Sequence, residues 1–417
     1  MIKKVLVPTL RFPPAGGVGL RRIIKICKYL RDLDCEITFV TTQNKYAVNN
    51  YSKDIKQSNF IIKMIPSLVI PYLIKIKTTI FEKVIGRLIY YITLPLYFVD
   101  YAFLWGIILI PYTIFRIRKY KIKNIYVSGP PFSTMWHMAV IKKYFCKNIV
   151  LICEWRDLWT DDYEREYLPP KFITRKIQIF MENFILNNAN YVITVTDTLK
   201  LYLVRRGRND CLKIENGYDY EDYVNKFVLI EDNNKIIKIV YTGNIVDTRA
   251  EGLYIFLNLL NKLQSNGLQI SFKIYGELSF KVKQHISICY DELLKKKIVQ
   301  LKGIVSPEKA IKEIMTADIC LVLVQREHPE ALTSKFFEYC AAKKPMLAIG
   351  PEGDLKNKFD KNNIGEFLTL DEPEASQEKK CRDLFTRYKN YNDQDFMDII
   401  TQNNFKYLAK KVFRILE

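Results

Sequence analysis

Ile319-Cys320-Leu321-Val322-Leu323-Val324 is followed by His328-Pro329-Glu330-Ala331-Leu332-Thr333-Ser334-Lys335-Phe336-Phe337-Glu338-Tyr339 and then by Pro345-Met346-Leu347-Ala348-Ile349-Gly350. The outer two runs are short and continuously apolar, as strands buried on both faces are. The middle run leads through small polar residues into an apolar helix. Strand, helix, strand is the unit from which parallel sheets are built.

The same grammar extends in both directions. Downstream of residue 220, strands are expected at Ile237–Gly243, Gln269–Gly276 and Ile298–Gly303, several ending in glycine. Upstream they are expected at Lys4–Thr9, Cys35–Thr41, Asn124–Ser128, Asn148–Cys153 and Tyr191–Val195. Leu20–Leu33 carries apolar residues at helical spacing after the turn-rich Pro13–Gly19. The chain thus reads as α/β, with two Rossmann-like domains facing a central cleft and ligands at the carboxyl ends of the strands. The polar stretch 218–235 divides them. The expected layout is a first domain over 1–220, a second over 221–395 and a last helical segment over 396–417.

Length and composition agree with two globular cores: 417 residues, 49% hydrophobic and 26% charged. The nine cysteines are scattered and form no CxxC pair, which reads as a reducing compartment without disulfides or zinc. Three widely spaced histidines do not make a metal cage. The N-terminus runs straight into a strand and lacks a signal-peptide core, so a cytoplasmic protein is expected.

The net charge of +19 is uneven. Residues 1–210 hold 33 Lys and Arg against 15 Asp and Glu, whereas the remainder is nearly neutral. Such a field favours a phosphate-bearing partner or an anionic membrane surface, although lysine also serves solubility alone. No nucleic-acid-binding motif is present, so nucleic acid is not expected as a partner. One segment breaks the α/β pattern: residues 88–115 are almost wholly apolar, and Arg116, Arg118, Lys119, Lys121 and Lys123 follow. The run is long enough to span a bilayer. Pro95, Asp100 and Pro111 interrupt it, which favours helices packed on the domain and touching the membrane interface. A buried helix and a true span are the alternatives.

Free N–H groups where the Ser334 helix starts attract an anion, and Lys335 adds a full charge there. Glu330 before the helix and Glu338 inside it then accept from hydroxyls on either side. Hydroxyls, negative charge, hydroxyls is the pattern of a nucleotide-sugar. An amphipathic helix with solvated Lys and Glu has the same sequence.

Beyond this stretch, Ser128-Gly129-Pro130-Pro131-Phe132-Ser133-Thr134, Cys153-Glu154-Trp155-Arg156-Asp157-Leu158-Trp159, Glu215-Asn216-Gly217-Tyr218-Asp219 and Ser334–Pro345 stand in a fixed order. With the Glu330–Glu338 pair they resemble a family 4 retaining glycosyltransferase of the GT-B fold, over nearly the whole chain. The resemblance implies sugar transfer from a nucleotide-sugar with the anomeric configuration kept, without metal or other cofactor. It places Glu330 on the donor sugar and Glu338 on the ribose. Lys335, Thr333 and Ser334 fall on the diphosphate, and Leu332, Gly276, Val305 and Gly243 around the donor. Arg249 takes the place of a second phosphate-facing cation, although the family more often carries that residue nearer the glycine, where this chain has Asn244. His137 matches the family's histidine near the donor sugar, slightly displaced, and a structural histidine is the alternative. Gly16, Gly17 and Asp157 fall on the acceptor and phosphate side. An ordinary strand–helix turn is the alternative for the glycines, and an Arg156–Asp157 ion pair for Asp157. Arg21 and Arg22 are either partners of an anionic acceptor or simply solvated.

The expected activity is a hexosyltransferase-like step onto a lipid-linked or surface-glycan acceptor in polysaccharide synthesis. An epimerase of the same fold and a non-catalytic nucleotide- or lipid-binding scaffold are the rivals.

Overall fold

The computed structural model describes residues 2–13, 18–42, 54–55, 58–66, 99–100, 102–160, 171–223, 236–265 and 267–417. The chain divides into two compact units, Met1–Glu215 with Phe405–Glu417, and Asn216–Asn404.

The first unit holds one seven-stranded sheet of β1 (Lys3–Pro8), β2 (Cys35–Thr42), β3 (Ile61–Ile65), β4 (Asn124–Gly129), β5 (Val150–Trp155), β6 (Tyr191–Thr194) and β7 (Leu212–Lys213). Their order is β3-β2-β1-β4-β5-β6-β7 and every pairing is parallel. Alternate residues of each strand feed two cores, as burial on both faces requires. Ile125, Val127, Leu151 and Cys153 face one core with Trp105, Met135 and Ile185. Tyr126, Val150 and Ile152 face the other with Ile23, Leu30, Leu408 and Val412. The last helix, Phe405–Phe413, therefore lies in this unit against the helix Val18–Arg31. Asn124 secures the chain end, accepting from Glu417 N at 2.9 Å and donating to its O at 2.7 Å.

The second unit holds a six-stranded sheet of β8 (Ile237–Thr242), β9 (Ile270–Tyr275), β10 (Val299–Gly303), β11 (Ile319–Leu323), β12 (Met346–Gly350) and β13 (Gly365–Thr369), ordered β10-β9-β8-β11-β12-β13 and again parallel. Two of its helices begin on a serine side-chain cap, Ser279 and Ser306. Ser306 Oγ accepts from Lys309 N at 3.3 Å, with Pro307 at the first position. The α/β reading with two Rossmann-like sheets holds. Three strands, β3, β7 and β13, were not expected. All are at sheet edges, where mixed burial removes the continuous apolar signal.

Of the apolar segment, residues 88–98 and 101 lie outside the described residues. The rest forms a short turn, Phe103–Trp105, and the helix Gly106–Tyr120 with Pro111 inside it. Trp105 and Leu109 are buried while Ile107 and Phe115 are exposed. Among the described residues, no helix is long and apolar enough to cross a membrane.

Candidate functional site

The candidate site is built at the carboxyl ends of β8, β9 and β11. The helix Ser334–Ala341 starts after β11, with Thr333 at its N-cap. Thr333 adopts extended backbone but makes no capping hydrogen bond, and its buried Oγ1 has no partner. A missing cap costs about 1 kcal/mol, so the first N–H groups are left for something else. The helix is tied to the sheet lower down. The Tyr339 hydroxyl accepts from Thr242 N at 3.0 Å and shares a second bond of 3.0 Å with Thr242 Oγ1.

Lys335 reaches from the first turn across Gly243. Its Nζ lies 5.3 Å from the centre of the Tyr241 ring, and among the described residues it has no carboxylate partner. Gly243 has φ +134°, and a Cβ there would collide with Cε and Nζ of Lys335. Glycine at this position is therefore what lets the ammonium pass over the strand end. Gly276, with φ +138°, packs in turn on the Gly243 carbonyl. Asn244 joins the two strand ends by accepting from Glu277 N at 2.9 Å.

Glu330 is 5% exposed. One carboxylate oxygen is 2.7 Å from His328 Nδ1, and the other, Oε2, is buried without any partner. An unpaired buried carboxylate oxygen is costly, and ligand sites are where such costs persist. The loop is held beneath it: Asp354 N donates to Pro329 O at 2.9 Å, and Asn216 Nδ2 donates to Leu332 O at 3.2 Å. Six consecutive residues, 330–335, thus present a carboxylate oxygen, a hydroxyl, open helix N–H groups and a cation.

These observations fall on a known architecture. A glycosyltransferase from Rickettsia africae ESF-5 is similar at 13% identity and TM-score 0.69, covering 99% of this chain and 97% of that one. Anabaena Alr3699/HepE, solved in complex with UDP, is similar at 14% identity and TM-score 0.64, covering 99% of each chain. This is the GT-B fold. The UDP-GlcNAc 2-epimerase of Methanocaldococcus jannaschii shares it at 13% identity and TM-score 0.54, covering 100% and 99%. No family model matches the sequence, and no curated protein matches it.

Glu338 lies one turn inside the helix and is half-buried. Ser334 and Lys335 are also half-buried, and Leu332 is buried. Val305 follows β10, beyond an exposed Ile304. Arg249 closes the short turn Asp247–Arg249 and is half-buried.

In the first unit, Gly16 and Gly17 lie outside the described residues, and Asp157 is exposed just past β5. Arg156 makes no ion pair with Asp157: it donates to Gly129 O at 3.1 Å and Pro130 O at 3.0 Å, over Gly19. His137 is a core residue of the first unit, as its structural alternative expects. It is 2% exposed, packed beside Phe103, Trp136 and Gly106, and burial lowers its pKa from 6.5 to about 4. Its displaced spacing turns it into the core. Arg22 is neither solvated nor open to an acceptor. It is buried against Glu154 at 2.7 Å and donates to Ile214 O at 2.8 Å. Sequence reasoning missed His328. An i, i+2 pair in a loop has no periodic signature.

Proposed function

We propose that the protein is a retaining, metal-independent glycosyltransferase of the family 4 type. It moves a sugar from a nucleotide-sugar to a lipid-linked or surface-glycan acceptor, at the cytoplasmic face of the cell membrane. The observation that carries this reading is the orphaned Oε2 of Glu330 beside an uncapped helix start and Lys335. Glu330 Oε2 accepts a hydroxyl of the donor sugar. The N–H groups of Ser334 and Lys335, with the Lys335 ammonium, hold the diphosphate. Charge grows on that diphosphate as the glycosidic bond breaks, and fixed donors there are worth about 3 kcal/mol or more each. The departing phosphate oxygen takes the acceptor's proton. Arg249 is the second cation, and Glu338 takes the ribose. The UDP seen in HepE supports a nucleotide donor.

A panel of UDP-, GDP- and ADP-sugars in a thermal-shift assay tests the site. One of them at a hundredfold excess over its Kd stabilises by about 2.7 kcal/mol, and Lys335→Ala abolishes the shift. No shift with any nucleotide-sugar ends the proposal. The epimerase neighbour motivates a second reading, in which the same site inverts a donor sugar carbon. Product formed with no acceptor present selects it. Donor binding without turnover selects a scaffold.

A further inference from the structure

The first unit carries an aromatic and basic surface that the donor chemistry does not use. The helix Lys171–Asn188 exposes Ile173 and Phe180, the latter to 65%, and carries Ile177 and Phe184 half-buried between them and the core. Beside it runs the turn Ile141–Phe145, in which Tyr144 is 61% and Phe145 49% exposed. The rings are continuous: Phe184 lies 6.3 Å from Tyr144, 6.5 Å from Phe180 and 6.4 Å from Trp136. Cations are set among them. Lys143 Nζ lies 5.3 Å from the Phe184 ring centre, and Arg118 reaches Phe145 O at 3.5 Å.

Such a face is unusual for a surface that stays in water, because large exposed aromatics cluster rarely without a partner. Its charge names the partner. Between Asp100 and Glu154 the sequence has no Asp or Glu and eight Lys and Arg. On the Lys171–Asn188 helix, Glu182 is the only acid, and it is buried. A second copy of the chain would set these lysines against their like across a twofold contact, which is unfavourable. An anionic bilayer meets both halves of the pattern: aromatic rings enter the headgroup boundary and lysines stay with the phosphates.

We propose that the turn Ile141–Phe145 and the exposed Ile173 and Phe180 of the helix Lys171–Asn188 dock the protein flat on an anionic lipid surface. The proposal rests on the membrane-face reading above for its partner, yet its residues are separate from the donor site. Co-sedimentation of the full chain with vesicles tests it. Binding is expected at low salt to vesicles of equal parts phosphatidylcholine and phosphatidylglycerol, and not to phosphatidylcholine alone. Each lysine near such a surface contributes about 1 kcal/mol, so Lys143→Gln with Lys147→Gln weakens binding about thirtyfold. Tyr144→Ser, Phe145→Ser and Phe180→Ser together weaken it at least tenfold. Neither variant changes the melting temperature or the nucleotide-sugar shift, since all five side chains are exposed. Lys335→Ala keeps full vesicle binding, so the two sites fail separately. Failure of the wild type to sediment with mixed vesicles at low salt overturns the proposal. So does undiminished binding by the variants. A wild-type dimer that the aromatic variant dissolves overturns it in favour of self-association.

Discussion

Both units are built on a parallel sheet, but Glu330 of the second is treated differently from the buried carboxylates of the first. In the first unit, Glu154 is held by Arg22 at 2.7 Å and the Ser128 hydroxyl at 2.7 Å. Burial alone would raise its pKa, yet Arg22 and Ser128 bring it below the usual carboxylate range. Glu182 accepts from Tyr202 at 2.6 Å and Thr160 at 2.8 Å, with Arg206 3.5 Å away, although burial leaves its pKa raised. Asp54 lies between Lys25 at 3.0 Å and Lys28 at 3.3 Å. Each of these carboxylates is closed by its own unit. Glu330 in the second unit is closed on one side only. Closed networks hold a fold together, and an open one has room for a ligand.

The largest effect that would break this contrast is in the first unit. Glu154→Ala strands a buried guanidinium and should cost about 3–5 kcal/mol in urea unfolding. A cost below about 1 kcal/mol means the pair is not a structural element. Next is catalysis. Lys335→Ala should lower kcat/KM by about 10²–10³-fold while leaving the unfolding midpoint in place. If activity and stability fall together, Lys335 belongs to the packing instead.

Acid sharpens the comparison by about 3 kcal/mol. His137 binds its proton near pH 6.5 when unfolded and near 4 when folded. Its neutral form favours the fold, so stability is complete above about pH 6.5 and drains as pH falls toward 4. The wild type should lose about 3 kcal/mol more than His137→Phe across that window, and equal losses would show that His137 is not held neutral. The smallest effect is the most diagnostic. Glu330→Gln should change stability by less than about 0.5 kcal/mol, or raise it, because Oε2 loses no partner. A loss like that of Glu154→Ala would place Glu330 among the closed networks.

Much of the fold was legible because buried parallel strands carry their own signature. Ile319–Val324 and Met346–Gly350 are continuous apolar runs, and both are interior strands of their sheet. Edge strands β3 and β13 were not legible, since Lys63 or Glu366 interrupts the run. At the candidate site, the helix start and Lys335 could be read from a local pattern of small polar residues before apolar ones. Gly243 could be read as a strand end, but not as the space through which Lys335 passes. His137 sits in a motif that resembles a sugar site, yet its side chain turns toward Phe103 and Trp136, because helical phase, not motif order, sets which face is buried.

Order along the chain by itself determined the alternation of strand and helix, the uneven charge and the placement of Thr333, Ser334 and Lys335 at a helix start. These are short-range properties, set by neighbours within a turn or two. Only the tertiary structure decided that Arg22 closes on Glu154, 132 residues away, while Glu330 keeps an oxygen open. Which charges are satisfied depends on side chains brought together from distant segments, and no local pattern encodes that.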